Sequence, residues 1–282
     1  MASGLFKWAK QHIEPGLDPE LLQRLESVPK KNLNAFGVDQ FGFDPEVLKI
    51  TFPIAAWIYK NYFRCDVFGI DKAPEGRKLV ISNHSGQLPF DGMMIFTAFI
   101  LDALHPCFLR GMVERWVSEL PFVSSFYARI GQIVGEPSIC QKLLEANESV
   151  LVFPEGVKGI SKLFQDRYQL AQFGHGFMRL ALQTKTPIVP VAVIGAEEQA
   201  PAIANIVPLA KLMNTPAWPL IFPQLVPIPM PVKYRIYFGD PMLFKGDGSE
   251  DDSIVGGYVE QVRHRIQTML NKGRRKRKSI FY

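Results

Sequence analysis

Apolar residues follow two rhythms along this chain, and their order predicts the architecture. Unbroken apolar runs stand at Lys78-Leu79-Val80-Ile81-Ser82, Val150-Leu151-Val152-Phe153 and Ile188-Val189-Pro190-Val191-Ala192-Val193-Ile194. Runs this short, rich in Val and Ile and bounded by Asn, Pro or Gly, read as strands buried on both faces. Phe108 and Leu109 are expected to end another strand, and Val232 to Phe238 alternates like a half-buried one. Helical spacing is expected over 92–101, over 139–147 with Ser138 as N-cap, over 176–184 and over 252–270. Strands separated by helices predict an α/β fold: a central, mostly parallel or mixed sheet flanked by helices, with an N-terminal helical region. The expected organisation is a helical region over 1–65, an α/β domain over 66–272 and a basic tail over 273–282.

Two segments are more apolar than an ordinary surface. Residues 47–63 carry Trp57, Tyr59, Tyr62 and Phe63 edged by Lys49, Lys60 and Arg64. That pattern suits a helix lying in a membrane interface, and equally a packed amphipathic core helix. Residues 201–231, punctuated by proline, read either as a cap over an apolar groove or as a long loop packed on the core. No uncharged apolar run reaches the roughly 18 residues of a membrane span. A peripheral position on the cytoplasmic side of a membrane is therefore the expectation.

The net charge of +5 changes the picture through its location. Arg274, Arg275, Lys276, Arg277 and Lys278 supply the excess, and the other 27 basic and 27 acidic residues balance. Such a tail is either a solvated terminus or an attraction for anionic headgroups. No aromatic RNA-binding motif accompanies it, so nucleic acid is not expected as a partner. Cys65, Cys107 and Cys140 are scattered. That excludes a disulfide framework or zinc spacing and suits a reducing compartment, and no signal-peptide pattern opens the chain.

Candidate chemistry sits where the strands stop. After the first run come Asn83 and His84, with Asp91 farther on; after the second come Glu155, Gly156, Lys158, Gly159 and Lys162; after the third comes Glu197. In α/β sheets ligands bind beyond the carboxyl ends of strands, so these residues are expected to share a cleft. An imidazole backed by a carboxylate can take a proton from a hydroxyl; the competing reading is a structural histidine with Asp91 capping the next helix. In the second loop, glycines allow close backbone approach and lysines can hold a phosphate, or the loop is simply solvated. The Gly-x-Ser-x-Gly nucleophile pattern is absent, as are P-loop, HExxH, EF-hand and dinucleotide patterns. A base acting directly on a substrate hydroxyl, without metal or nucleotide cofactor, is the chemistry expected.

Asn83-His84 with Asp91, then Phe153-Pro154-Glu155-Gly156, then Ile188-Val189-Pro190-Val191 resemble, in order, blocks of the glycerolipid acyltransferases, which include lysophosphatidic acid acyltransferases. Gly195-Ala196-Glu197-Glu198 and Phe238-Gly239-Asp240-Pro241 also resemble the family. The resemblance implies that His84 deprotonates a hydroxyl of a lysophospholipid or related glycerolipid, oriented by Asp91. The alkoxide then attacks the thioester of acyl-CoA or acyl-carrier protein. It implies Asn83, Glu155, Gly156, Lys158 and Lys162 as substrate-binding residues. Six residues separate His84 from Asp91, more than the family's usual spacing, and Lys158 stands where an arginine is common. The missing arginine weakens the case for a phosphate-bearing acceptor such as lysophosphatidate and admits a neutral or differently headed lipid. Two other readings remain: a lipid or thioester hydrolase using the same pair, and a non-catalytic lipid-binding protein.

Overall fold

Along the chain the strands are β1 (Asp66–Phe68), β2 (Leu79–Ser82), β3 (Leu109–Val113), β4 (Ile133–Val134), β5 (Ser149–Val152), β6 (Ile188–Ile194), β7 (Ala202–Asn205), β8 (Pro219–Ile221) and β9 (Arg235–Phe238). The helices are α1 (Pro19–Ser27), α2 (Pro45–Trp57), α3 (Phe90–Leu101), α4 (Val123–Arg129), α5 (Pro137–Glu145), α6 (Val157–Ile160), α7 (Gly176–Gln183), α8 (Val207–Leu212) and α9 (Asp252–Lys276). This is a computed structural model, describing residues 18–28, 33–84, 88–114, 123–212, 218–222 and 228–282. Residues 85–87, between His84 and Asp91, lie outside the described residues, as do parts of the 1–65 and 201–231 segments.

The three apolar runs become neighbouring parallel strands at the centre of a seven-stranded sheet of order β1-β9-β6-β2-β5-β3-β4. Only β6 and β9 run antiparallel, so the sheet is mixed. β7 and β8 form a separate antiparallel pair. Every residue of β2 and β6 is buried, and successive side chains alternate between two cores. Val80, Val189, Val191 and Val193 face α1, α2 and α3; Leu79, Ile81, Ile188, Ala192 and Ile194 face α5, α7 and α9. Helices thus cover both faces, which is why these strands read as continuous apolar runs.

Local chemistry moves several boundaries. Leu109 begins β3 rather than ending a strand, and the run continues through the polar Arg110, whose guanidinium is buried against Asp39 and Glu148. Helix α5 starts two residues early: Pro137 takes its first turn and Glu136, not Ser138, is the N-cap. Helix α2 is capped by Asp44, whose carboxylate accepts the Glu46 and Val47 N–H groups at 3.0 and 3.4 Å.

The N-terminal helices and the basic segment are part of the body. Leu21, Leu25, Leu48, Phe52 and Ala56 join the same apolar core as α3 and β6. Helix α2 therefore packs as a core helix on one side, and presents Ile54 and Trp57 to solvent on the other. Helix α9 carries Arg274, Arg275 and Lys276 within it, and Arg277 makes a two-pronged ion pair with Glu198. Farther on, Lys233 N–H donates to the Ile280 carbonyl at 2.8 Å and Arg64 to that of Phe281 at 3.0 Å. Residues 273–282 are docked, not a separate tail. No helix among the described residues is long and apolar enough to cross a membrane.

Phe99, on α3, is 1% exposed and meets the Phe238 ring edge-on at 5.3 Å. Phe99→Ala is expected to lower unfolding free energy by about 3–5 kcal/mol, read from urea denaturation.

Candidate active site

β2, β5 and β6 run parallel, so their carboxyl ends deliver His84, the Phe153–Glu155 turn and Glu197 to one edge of the sheet. The expected juxtaposition is present. His84 Nδ1 lies 2.8 Å from Asp91 Oδ2, and the Asp91 side chain is wholly buried while that of His84 is 15% exposed. Asp91 stands in the first turn of α3, and its other oxygen accepts the Gly92 N–H at 2.8 Å. Asp91 is not the cap of this helix, which starts at Phe90 with Pro89 as N-cap; one of its oxygens meets the Gly92 N–H and the other faces the histidine. With Nδ1 committed, Nε2 is the nitrogen left for a substrate proton. The imidazole stacks on Phe153, centroids 4.2 Å apart and planes 20° from parallel, which restricts ring rotation.

Three side chains secure the backbone around His84. Asn83 is fully buried; its amide donates to the Val193 carbonyl at 3.1 Å and accepts the Val193 N–H at 2.8 Å. The amide thereby extends the ladder between β2 and β6. Glu155 accepts the His84 N–H at 3.0 Å on one oxygen and the Ala171 N–H at 2.7 Å on the other. On the far side of the loop, Gln199 donates to the Leu88 carbonyl at 3.0 Å and accepts the Tyr234 hydroxyl at 2.8 Å. Burial pushes the Tyr234 phenol far up, and the charge on Asp91 adds to the effect.

This geometry revises the list of substrate contacts. Asn83 spends its amide on β6, and Glu155 is 0% exposed with both oxygens engaged, so both act as brackets for the histidine loop. Lys162 is drawn inward: its ammonium sits 3.0 Å from Glu155, 3.7 Å from Glu197 and 3.2 Å from the Gln169 carbonyl. Lys158 alone of the two lysines is exposed. Gly156 has φ +54°, and a Cβ there would meet Glu114 Oε1 at 3.3 Å. Gly159 brings its backbone close to the histidine. A Cβ at Gly159 would lie 2.9 Å from His84 Cβ and 3.0 Å from Glu155 Cβ. Phe153 was within the recognisable block without an assigned role; Gln199 carried no local signal.

Glu197 accepts the Tyr168 N–H at 2.8 Å, while its second oxygen is buried without a hydrogen-bond partner among the described residues. Burial raises its carboxyl from 4.5 to about 7, against the opposing pull of Lys162, with Glu155 adding to the rise.

Comparison with known proteins bears on the family and the fold. The acyltransferase family model matches residues 64–194. An uncharacterized protein of Mycobacterium leprae is 38% identical over 260 residues, covering 88% of this chain and 70% of that protein. The human DGAT1/2-independent enzyme synthesizing storage lipids is 22% identical over 216 residues, covering 74% of this chain and 62% of that protein. The crystal structure of the 1-acyl-sn-glycerophosphate acyltransferase PlsC from Thermotoga maritima shares the fold, with a TM-score of 0.53, 15% identity and 83% of each chain covered. The chain belongs to one family with the mycobacterial protein, and residues 64–194, which hold the histidine–aspartate pair at the strand ends of the mixed α/β sheet, match the acyltransferase family model.

Two outcomes follow from these distances. Gly159→Ala is expected to displace His84 and cut turnover while the circular dichroism spectrum stays native. Because the Glu197 carboxyl binds its proton more tightly folded than unfolded, its stabilising share is complete below about pH 4.5 and is lost as pH rises through about 7. Glu197→Gln is expected to flatten that part of the urea-midpoint profile between pH 5 and 8.

Proposed function

We propose that this protein transfers a fatty acyl group from acyl-CoA or acyl-carrier protein to a hydroxyl of a lysophospholipid or related glycerolipid, with His84 as general base. The observation that carries the proposal is the 2.8 Å pairing of His84 Nδ1 with a wholly buried Asp91. Asp91 holds the tautomer in which Nε2 accepts a proton, and its charge stabilises the imidazolium that forms. The acceptor oxygen attacks the thioester carbonyl; as the tetrahedral intermediate collapses, the C–S bond breaks and the proton passes from Nε2 to the leaving sulfur. Direct attack by the acceptor needs no enzyme nucleophile, in keeping with the missing Gly-x-Ser-x-Gly pattern.

The charge distribution favours an acceptor that does not depend on a phosphate clamp in this loop. Lys162 is committed to two buried carboxylates, which leaves Lys158 as the exposed cation of the pair. A partial glyceride or a differently headed lysolipid suits that balance better than lysophosphatidate. The name of the human relative, an enzyme synthesizing storage lipids, points the same way.

A peripheral position on the cytoplasmic face of a membrane completes the proposal. Ile54 and Trp57 on α2, Ile228, and Phe222 beyond β8 are all more than half exposed, at 63, 58, 63 and 57%. Hydrogen bonds from Tyr62 to Pro229 (2.5 Å), Met230 to Gln199 (2.6 Å) and Gln199 to Leu88 (3.0 Å) tie the chain beside Ile228, and the turn that follows α2, to the histidine loop. A rim of that kind suits entry of a lipid acceptor from a bilayer. With the basic segment docked on the body, the apolar rim is the better supported membrane contact.

His84→Ala is expected to lower acyl transfer by about 10²- to 10⁴-fold with an unchanged circular dichroism spectrum. The assay incubates protein with acyl-CoA and a panel of lysolipids and partial glycerides, and reads products by mass spectrometry. Free fatty acid without acylated acceptor would instead make it a hydrolase. Trp57→Glu with Phe222→Glu is expected to weaken flotation with phosphatidylcholine vesicles, leaving transfer to a dispersed short-chain acceptor largely intact.

A further inference from the structure

The family match ends at residue 194, yet the backbone around His84 is tied to a helix that begins at Asp252. The link is a strap, residues 168–171, laid between α9 and the site. Three of its four N–H groups go to distant side chains: Tyr168 to Glu197 at 2.8 Å, Leu170 to Gln267 at 3.1 Å and Ala171 to Glu155 at 2.7 Å, while that of Gln169 goes to the Asp166 carbonyl at 3.2 Å. Gln267 also donates to the Tyr168 carbonyl at 2.8 Å, so a single α9 amide grips the strap twice.

Tyr168 itself is an anchor. It is 1% exposed, holds φ +64°, and its hydroxyl accepts the Gly195 N–H at 2.9 Å. The left-handed backbone of a bulky residue persists only where its surroundings enforce it. Here they do: the Arg274 and Arg277 guanidiniums lie 4.7 and 5.6 Å from the ring centroid. Arg277 is in turn fixed by its two-pronged pair with Glu198, a side chain 2% exposed.

We propose that Gln267 and Arg277 are positioning residues for His84, acting through the 168–171 strap and Glu155. Glu155 holds the His84 N–H with one oxygen and the strap with the other, so a strap that slips takes the histidine with it. This assigns the basic segment a task inside the molecule. It rests on the reading of His84 as general base, and the test separates the two.

Two variants are needed, because Arg277→Gln alone would leave Glu198 buried and unpaired. Gln267→Met releases the strap from α9, and R277Q/E198Q removes both charges together. In each, kcat for acyl transfer is expected to fall about tenfold with KM little changed, since displacing a catalytic group by a fraction of an ångström has effects of this order. The low-field proton resonance of the His84–Asp91 hydrogen bond is expected to broaden or vanish, and Arg277→Lys, which keeps the charge but not the two-pronged fork, is expected to retain only part of both. An unchanged kcat, a loss confined to KM, or a resonance that stays sharp would overturn the proposal. Should R277Q/E198Q fail to fold, Gln267→Met decides alone. Should the parent protein transfer no acyl group, the resonance still decides the positioning role while the functional reading fails by itself.

Discussion

The carboxylate of Glu155 is the constraint around which the site is organised. It is fully buried, and burying a charge is tolerated only when its partners replace water. Those partners are the His84 N–H, the Ala171 N–H and the Lys162 ammonium, drawn from three different segments. Satisfying one side chain therefore brings the histidine loop, the strap and the lysine turn together. Lys162 extends the same requirement to Glu197, which receives too little compensation and holds its proton to about pH 7.

The framework that presents Glu155 is a consequence of apolar alternation. β2 and β6 send neighbouring side chains to opposite cores, and helices on both faces keep water from the central strands. Parallel pairing then puts three strand ends on one edge. Antiparallel β9 changes nothing at that edge, but it lets Tyr234 reach Gln199 and so supports Leu88. The bracketing of the loop is thus spread over β6, β9 and the turn after β5.

Much of this was legible in the chain. The apolar runs at Leu79, Val150 and Ile188 specify buried strands, the helices between them call for parallel pairing, and the ordered blocks around His84 and Glu155 carry the family. What could not be read has a common cause: it depends on partners distant in sequence. Short strands such as β1 and β9 do not encode the direction of their neighbours. Polar side chains do not announce whether they face solvent or protein. Asn83, Glu155 and Lys162 read naturally as ligand contacts, yet turn inward to serve the histidine. The cluster of arginines at 274–278 read as a surface feature for the same reason, since nothing local reveals Glu198 or Tyr168 waiting beneath it.

The Asn83–Val193 amide pair joins positions 110 residues apart in the chain. Contacts of such separation close late, because the chain between must first lose its freedom. β2 and its histidine are synthesised early, yet nothing holds them in working geometry until β6 has docked alongside. The Gln267 contacts come later still. A chain emerging from the ribosome would thus display its apolar strands well before its histidine is aligned. Under the role proposed for His84, its alignment waits on β6 and α9, segments made well after the histidine itself.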